Sequence, residues 1–213
     1  MQKKKKPIFK RWWFWIIIAP IGIRIMLDIN EDLKGGTDQA AKSTSTIQEN
    51  KQNKSTSPLS IGMIQDEFVK AFNSKVKELD SNNLRIENLK VKKGTENDTF
   101  QHSFTKTFFI EGTVHKKTGE IRDLMLVGSG DGTLTSVADI FVSIGAIVAV
   151  TNPELKKEER GDVLNEIGLT DPNADIIGLK SASIRNGIKY SINAATELGI
   201  VFIVAHENQR YSK

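Results

Sequence analysis

The segment Met1–Leu27, MQKKKKPIFKRWWFWIIIAPIGIRIML, constrains this chain more than any other. Lys3, Lys4, Lys5, Lys6, Lys10 and Arg11 stand directly before an apolar run led by Trp12, Trp13 and Trp15. Lysine and arginine favour the cytoplasmic side of a bilayer, and tryptophan favours its headgroup layer. The segment is therefore expected to enter a membrane with its amino end inside, leaving the rest of the chain on the outer side. Its apolar stretch, Trp12–Leu27, holds 16 residues including Pro20 and Arg24. A full span takes about 17–25 residues, so this stretch is short, and Arg24 reaching toward lipid phosphates would extend it. The competing readings are a cleaved secretory signal, with an apolar core of about 7–15 residues, and a buried helix of a soluble domain. No small-x-small triplet follows the run closely, the nearest small pair being Ala40-Ala41, and four lysines abutting three tryptophans suit no buried helix. Residues 1–34 are thus expected to form a basic N-terminus and a retained single-pass transmembrane anchor.

Charge supports this division. Residues 1–34 hold eight of the 30 Lys and Arg against three acids, leaving 22 basic and 23 acidic residues beyond them. The excess positive charge belongs to the anchor, and the remainder carries no electrostatic footprint for DNA or RNA. Nucleic acid is not an expected partner; the bilayer is. The chain has no cysteine, which removes thiol catalysis, cysteine zinc sites, redox roles and lipid attachment through a cysteine.

Residues 35–58, GGTDQAAKSTSTIQENKQNKSTSP, offer Ile47 as their only large apolar side chain. Such a stretch cannot bury enough surface to offset its ordering entropy and is expected to be a flexible linker. Residues 59–213 are numerous enough to build a core without disulfides, and they form the expected extracytoplasmic domain.

Within that domain Ile61, Ile64, Phe68, Phe72, Val76 and Leu79 recur at helical spacing, with Ser60 as the expected cap. Strands are expected near Leu84–Val91, across Thr99–Val114 and at Ile121–Val127, with a tight turn at HKKTGE. Ser136-Val-Ala-Asp139 matches a capping box ahead of Val137–Val150, whose 14 mostly apolar residues predict a buried core helix rather than a second span. Asn152-Pro153 should end it and begin another helix at Pro153, closed by Gly168. The strands Ile176–Arg185 and Ile188–Ala194 flank the hairpin signal Asn186-Gly187, and Gly199–Ala205 reads as a central strand. A two-residue turn would put Leu179, Ile188, Tyr190 and Ile192 on one face and Ile184 with Lys189 on the other, which needs a bulge or a two-sided sheet. The expected order is α-βββ-αα-βββ, a two-layer α+β domain with helices on one face of an antiparallel sheet.

Chemistry is sparse. The loop Gly128, Ser129, Gly130, Asp131, Gly132, Thr133 could converge backbone N–H groups at a helix start, as anion sites do. It lacks the lysine of a phosphate loop, and Asp131 alone cannot make a calcium loop. These six residues are the candidate ligand contacts, against the simpler reading of a glycine-rich turn. His102, His115 and His206 are widely separated and form no helical metal pair. Asp139 is accounted for by its place near a helix start, Glu158, Glu159 and Asp162 read as a solvated face, and Glu111 is expected to point to solvent. No catalytic set, metal cluster or cofactor fingerprint is legible.

The KKPIFKRWWFWIII anchor and the 43-residue stretch VGSGDGTLTSVADIFVSIGAIVAVTNPELKKEERGDVLNEIGL (Val127–Leu169) resemble small membrane-anchored or lipoprotein-like exported proteins of Gram-positive bacteria. That resemblance implies an envelope location and carries over no functional residue. The expected function is a non-enzymatic, membrane-tethered module that binds an envelope protein or small ligand. The contacts are expected on the sheet face away from the helices or on the Gly128–Thr133 loop. The alternatives are a hydrolase acting on wall or lipid material and an accessory subunit of an envelope assembly.

Overall fold

Seven antiparallel strands run in the order β1-β2-β3-β4-β7-β6-β5. They are β1 (Lys90–Lys92), β2 (Asn97–Ser103), β3 (Phe108–His115), β4 (Ile121–Gly128), β5 (Lys180–Arg185), β6 (Ile188–Ala195) and β7 (Gly199–His206). Three helices, α1 (Gln65–Glu78), α2 (Leu134–Thr151) and α3 (Lys157–Glu166), complete this α+β fold, with a short 3-10 turn at Asn82–Leu84. This computed structural model describes residues 59–130, 133–170, 176–196 and 198–210. The expected anchor and linker lie outside the described residues.

The described order is α-ββββ-αα-βββ, one strand more than expected, so the two halves do not match. The surplus comes from Thr99–Val114, which is a hairpin and not one strand. The amides of Phe104 and Thr105 both donate to the Phe108 carbonyl, at 3.0 and 3.1 Å, closing a turn that carries none of the usual turn residues. The strand expected from Leu84 starts only at Lys90.

Helix α1 buries Phe68, Phe72 and Val76, one per turn along the expected stripe. It starts at Gln65, later than a Ser60 cap would place it. The Ser60 hydroxyl instead donates to Glu120 at 2.9 Å, and Glu67 accepts from the Ile64 amide at 3.2 Å to close the first turn. Helix α2 is capped by Thr133, whose hydroxyl accepts from the Ser136 amide at 3.2 Å, so Ser136 is inside the helix and not its cap. Its 18 residues are long and apolar enough to cross a membrane, yet Ile140, Ile144, Ile147 and Val148 lie in the core, as a core helix requires. After it Pro153 occupies a turn, with the Leu155 amide donating to Asn152 at 3.2 Å, and α3 begins at Lys157. Gly168, at φ 82°, ends α3 where expected.

All three helices pack on one side of the sheet. Phe100, Ile110, Leu124, Leu126, Tyr190, Phe202 and Val204 meet Phe68, Phe72, Ile144 and Val163 in a single cluster. Close packing leaves no room at Gly112, where a Cβ would stand 2.3 Å from the Phe100 ring. Tyr190 and Thr151 share a hydrogen bond of 3.2 Å, and Asn152 donates to the Arg185 carbonyl at 3.0 Å, tying the end of α2 to the β5–β6 hairpin. That hairpin turns through Asn186 and Gly187, at φ 51° and 78°, the two-residue turn the sequence predicts. Its register pairs Ile184 with Lys189 and Arg185 with Ile188. Ile184 therefore lies on the side away from the helices, and a two-sided sheet resolves the parity conflict.

Candidate functional site

Register alone defines the residues that the second face carries. Alternate residues of each strand point away from the helices, and across the sheet they fall into three rows. The first runs Ser103, Phe109, Val127, Val201, Asn193, Lys180. The second runs Lys90, Gln101, Glu111, Met125, Ile203, Ser191, Ala182. The third runs Lys92, Thr99, Thr113, Asp123, Ala205, Lys189, Ile184.

The middle of the first two rows is apolar, and the third adds Ala205 between Asp123 and Lys189. Phe109, Val127, Val201, Ile203 and Ala205, with Met125, Ala182 and Leu198 beside them, make a second hydrophobic cluster distinct from the core under the helices. No helix residue belongs to it among the described residues. β7 supplies three of its members because GIVFIVA is apolar at every position after its glycine, so this strand presents hydrocarbon to both faces. The five cluster residues are nonetheless only 0–7% exposed.

Polar groups flank the stripe on both sides. Toward β1, Lys90, Lys92, Thr99, Gln101 and Glu111 line a concavity of about 420 Å³. The Gln101 Nε2 is buried there without a hydrogen-bond partner. Glu111 is largely withdrawn from water, which corrects the expectation that it faces solvent. Burial raises its pKa, the charge of Asp123 raises it further, and Lys92 opposes both. Toward β5 stand Asn193, Ser191 and Lys189; Lys189 is 3% exposed, and burial lowers its pKa. The Ser191 hydroxyl is buried and unpartnered. The arrangement is an apolar strip with a carboxylate pair on one flank and an ammonium on the other, suited to holding an amphipathic or apolar chain segment.

The Gly128–Thr133 loop is built differently from an open anion site. Gly128 ends β4 beneath Ile140, where a Cβ would lie 2.5 Å from that side chain. The Ser129 amide donates to the Thr107 carbonyl at 3.1 Å, and the Gly130 carbonyl accepts from the Thr107 hydroxyl at 3.3 Å. Thr133 caps α2, and Asp131 and Gly132 lie outside the described residues, as do Lys3, Lys4, Lys5, Lys6, Trp12, Trp13, Trp15 and Arg24. Gly199, at φ 72°, lets β7 begin against this loop, since a Cβ would stand 2.4 Å from the Ser129 Cα.

The remaining titratable candidates stay apart. His102 packs edge-on to Phe104 at 4.8 Å, and burial lowers its pKa against a hydrogen bond to the Glu87 backbone. His115 Nε2 lies 3.0 Å from the Leu59 carbonyl, and His206 Nδ1 accepts from the Asn208 amide at 3.1 Å. Asp139 accepts from Asn83 at 2.9 Å, joining α2 to the 3-10 turn. Glu158, Glu159 and Asp162 are exposed on α3. Among the described residues no three His, Asp or Glu side chains gather as a metal would need. Sequence reading named the face away from the helices but not the residues that line it; their signal was the Ile184–Lys189 parity conflict together with the two-sided apolarity of Gly199–Ala205.

No protein-family model matches the chain, and neither a curated protein nor a solved structure does.

Proposed function

We propose that this chain is a membrane-tethered extracytoplasmic module that binds a partner through the sheet face opposite its helices. The carrying observation is the stripe of Phe109, Val127, Val201 and Ile203, set between Glu111 and Asp123 on one side and Lys189 on the other. A solvated antiparallel sheet ordinarily alternates polar residues on the face its helices leave uncovered. A hydrocarbon strip with a polar rim instead matches the apolar core and polar rim of a contact surface. The cationic, tryptophan-led segment ahead of it supplies the tether, with its amino end in the cytoplasm and the domain outside the cell. The partner is an envelope protein or ligand offering an extended apolar segment.

A photo-crosslinking residue at Met125 tests this in intact cells. A discrete adduct is expected from Met125, lost when Val201→Lys breaks the stripe, with none from Glu158 on α3. Equal yields from Met125 and Glu158, or none from either, would remove the second face as the contact surface.

A further inference from the structure

We propose that a groove between α1 and the end of α2 binds an aliphatic carboxylate of medium chain length, its head group taken by Arg160. The groove lies among the helices and does not depend on the second face. Its volume is about 580 Å³, inside the range of about 300–1,000 Å³ usual for small-molecule sites. Helix α1 turns Glu67, Ala71, Ser74 and Glu78 toward it, a stripe beside the one that buries Phe68, Phe72 and Val76. Opposite stand Ala149, Val150 and Thr151, the last residues of α2. The chain entering α1 forms a further wall, with the Ile61 amide donating to the Ile121 carbonyl and the Ile121 amide to the Met63 carbonyl, both at 2.9 Å. Alanine at both 71 and 149 leaves open a space that larger side chains would fill.

Charge selects the occupant. Lys75 is paired with Glu78 along α1, and Glu67 accepts from the Ile64 amide at 3.2 Å, so these groups already have partners. Arg160 differs. Its Nη2 donates to the Pro153 carbonyl at 3.0 Å, its Nε has no hydrogen-bond partner, and it forms no ion pair among the described residues. A guanidinium oriented by one nitrogen, with its charge unmatched and donors to spare, is suited to a carboxylate. The side chains of Ile61, Met63, Val150 and Pro153 line the groove with hydrocarbon for a tail. From Glu67 to Glu78 the helix runs about 16 Å, which gives an extended chain room to lie along it. Those same two acids disfavour a doubly charged phosphate head, so a head with a single negative charge matches the groove better.

Photolabelling of the full-length chain in phosphatidylglycerol nanodiscs tests this. The probe is decanoate with a diazirine at its tail, and mass spectrometry maps the adducts. Saturable adducts are expected at Met63, Ala71 or Val150. The methyl ester of the probe removes the charge and should need about tenfold more for half-saturation, as should the chain with Arg160→Gln. Arg160→Lys restores a point charge and should recover part of that loss. A probe shorter by two methylenes should also label about tenfold more weakly. Adducts confined to residues 12–27 would show partition into lipid alone and overturn the proposal. Equal labelling by acid and ester, or no change with Arg160→Gln, would overturn it as well. The acid–ester comparison uses the parent chain, so it decides the matter even where a variant misfolds.

Discussion

Glu111 carries the clearest consequence at the scale of a residue. It stands between Gln101 and Met125 in the middle row of the second face, with Asp123 near enough to oppose its charge. Burial and that neighbour favour the protonated carboxyl, so the folded chain binds a proton more tightly than the unfolded chain does. The resulting penalty is absent below the ordinary glutamate pKa of about 4.3 and grows as pH rises through the higher folded value. Glu111→Gln should therefore raise the melting temperature at pH 7 and leave it nearly unchanged at pH 3. Equal effects at both values would contradict the assignment. Strand parity placed Glu111 on the side away from Ile110 correctly. It could not show that β4 and β7 would set Met125 and Ile203 beside it and so withdraw it from water.

Elements were legible where hydrophobic period and turn chemistry agreed. The α1 stripe, the Asn186-Gly187 hairpin and the central β7 all follow from patterns within a few residues. The break at Phe104–Thr107 was not legible, because its chain reversal rests on tertiary contacts. The Phe104 ring lies tilted against Phe108 at 4.7 Å and against Phe72 at 6.3 Å, holding a turn without glycine or proline. Ser60 and Pro153 both carried correct local signals that lost to other partners: Glu120 took the serine, and a turn after Asn152 took the proline. Helix α2 gives two measurable contrasts. Thr133→Ala removes its cap and should cost about 1 kcal/mol in denaturant unfolding. Gly145→Ala meets nothing within 4 Å and should stabilise by about 0.5–1 kcal/mol, whereas Gly112→Ala in β3 drives a methyl into Phe100 and should cost about 1–3 kcal/mol. If Gly112→Ala proves as stable as the parent chain, the packing described for the core is wrong.

The whole molecule joins a two-sided sheet to a sequence whose first 27 residues are chemically suited to a bilayer. The fold class and the helix-bearing face were readable from the sequence. The second hydrophobic cluster emerges only when strands far apart in the chain align their rows, since Phe109, Val127 and Val201 are separated by long stretches that no local pattern links. The Gly128–Thr133 loop shows the converse: its glycines suggest an anion site locally, while packing against Ile140, Thr107 and Gly199 explains those that are described. The proposed function requires the domain to stand outside a membrane that holds its amino end. Protease added to intact spheroplasts measures this directly. Cleavage within residues 35–58 should release the domain into the supernatant while a cytosolic marker stays whole; a domain that remains intact alongside that marker would contradict the tethered, outward-facing arrangement.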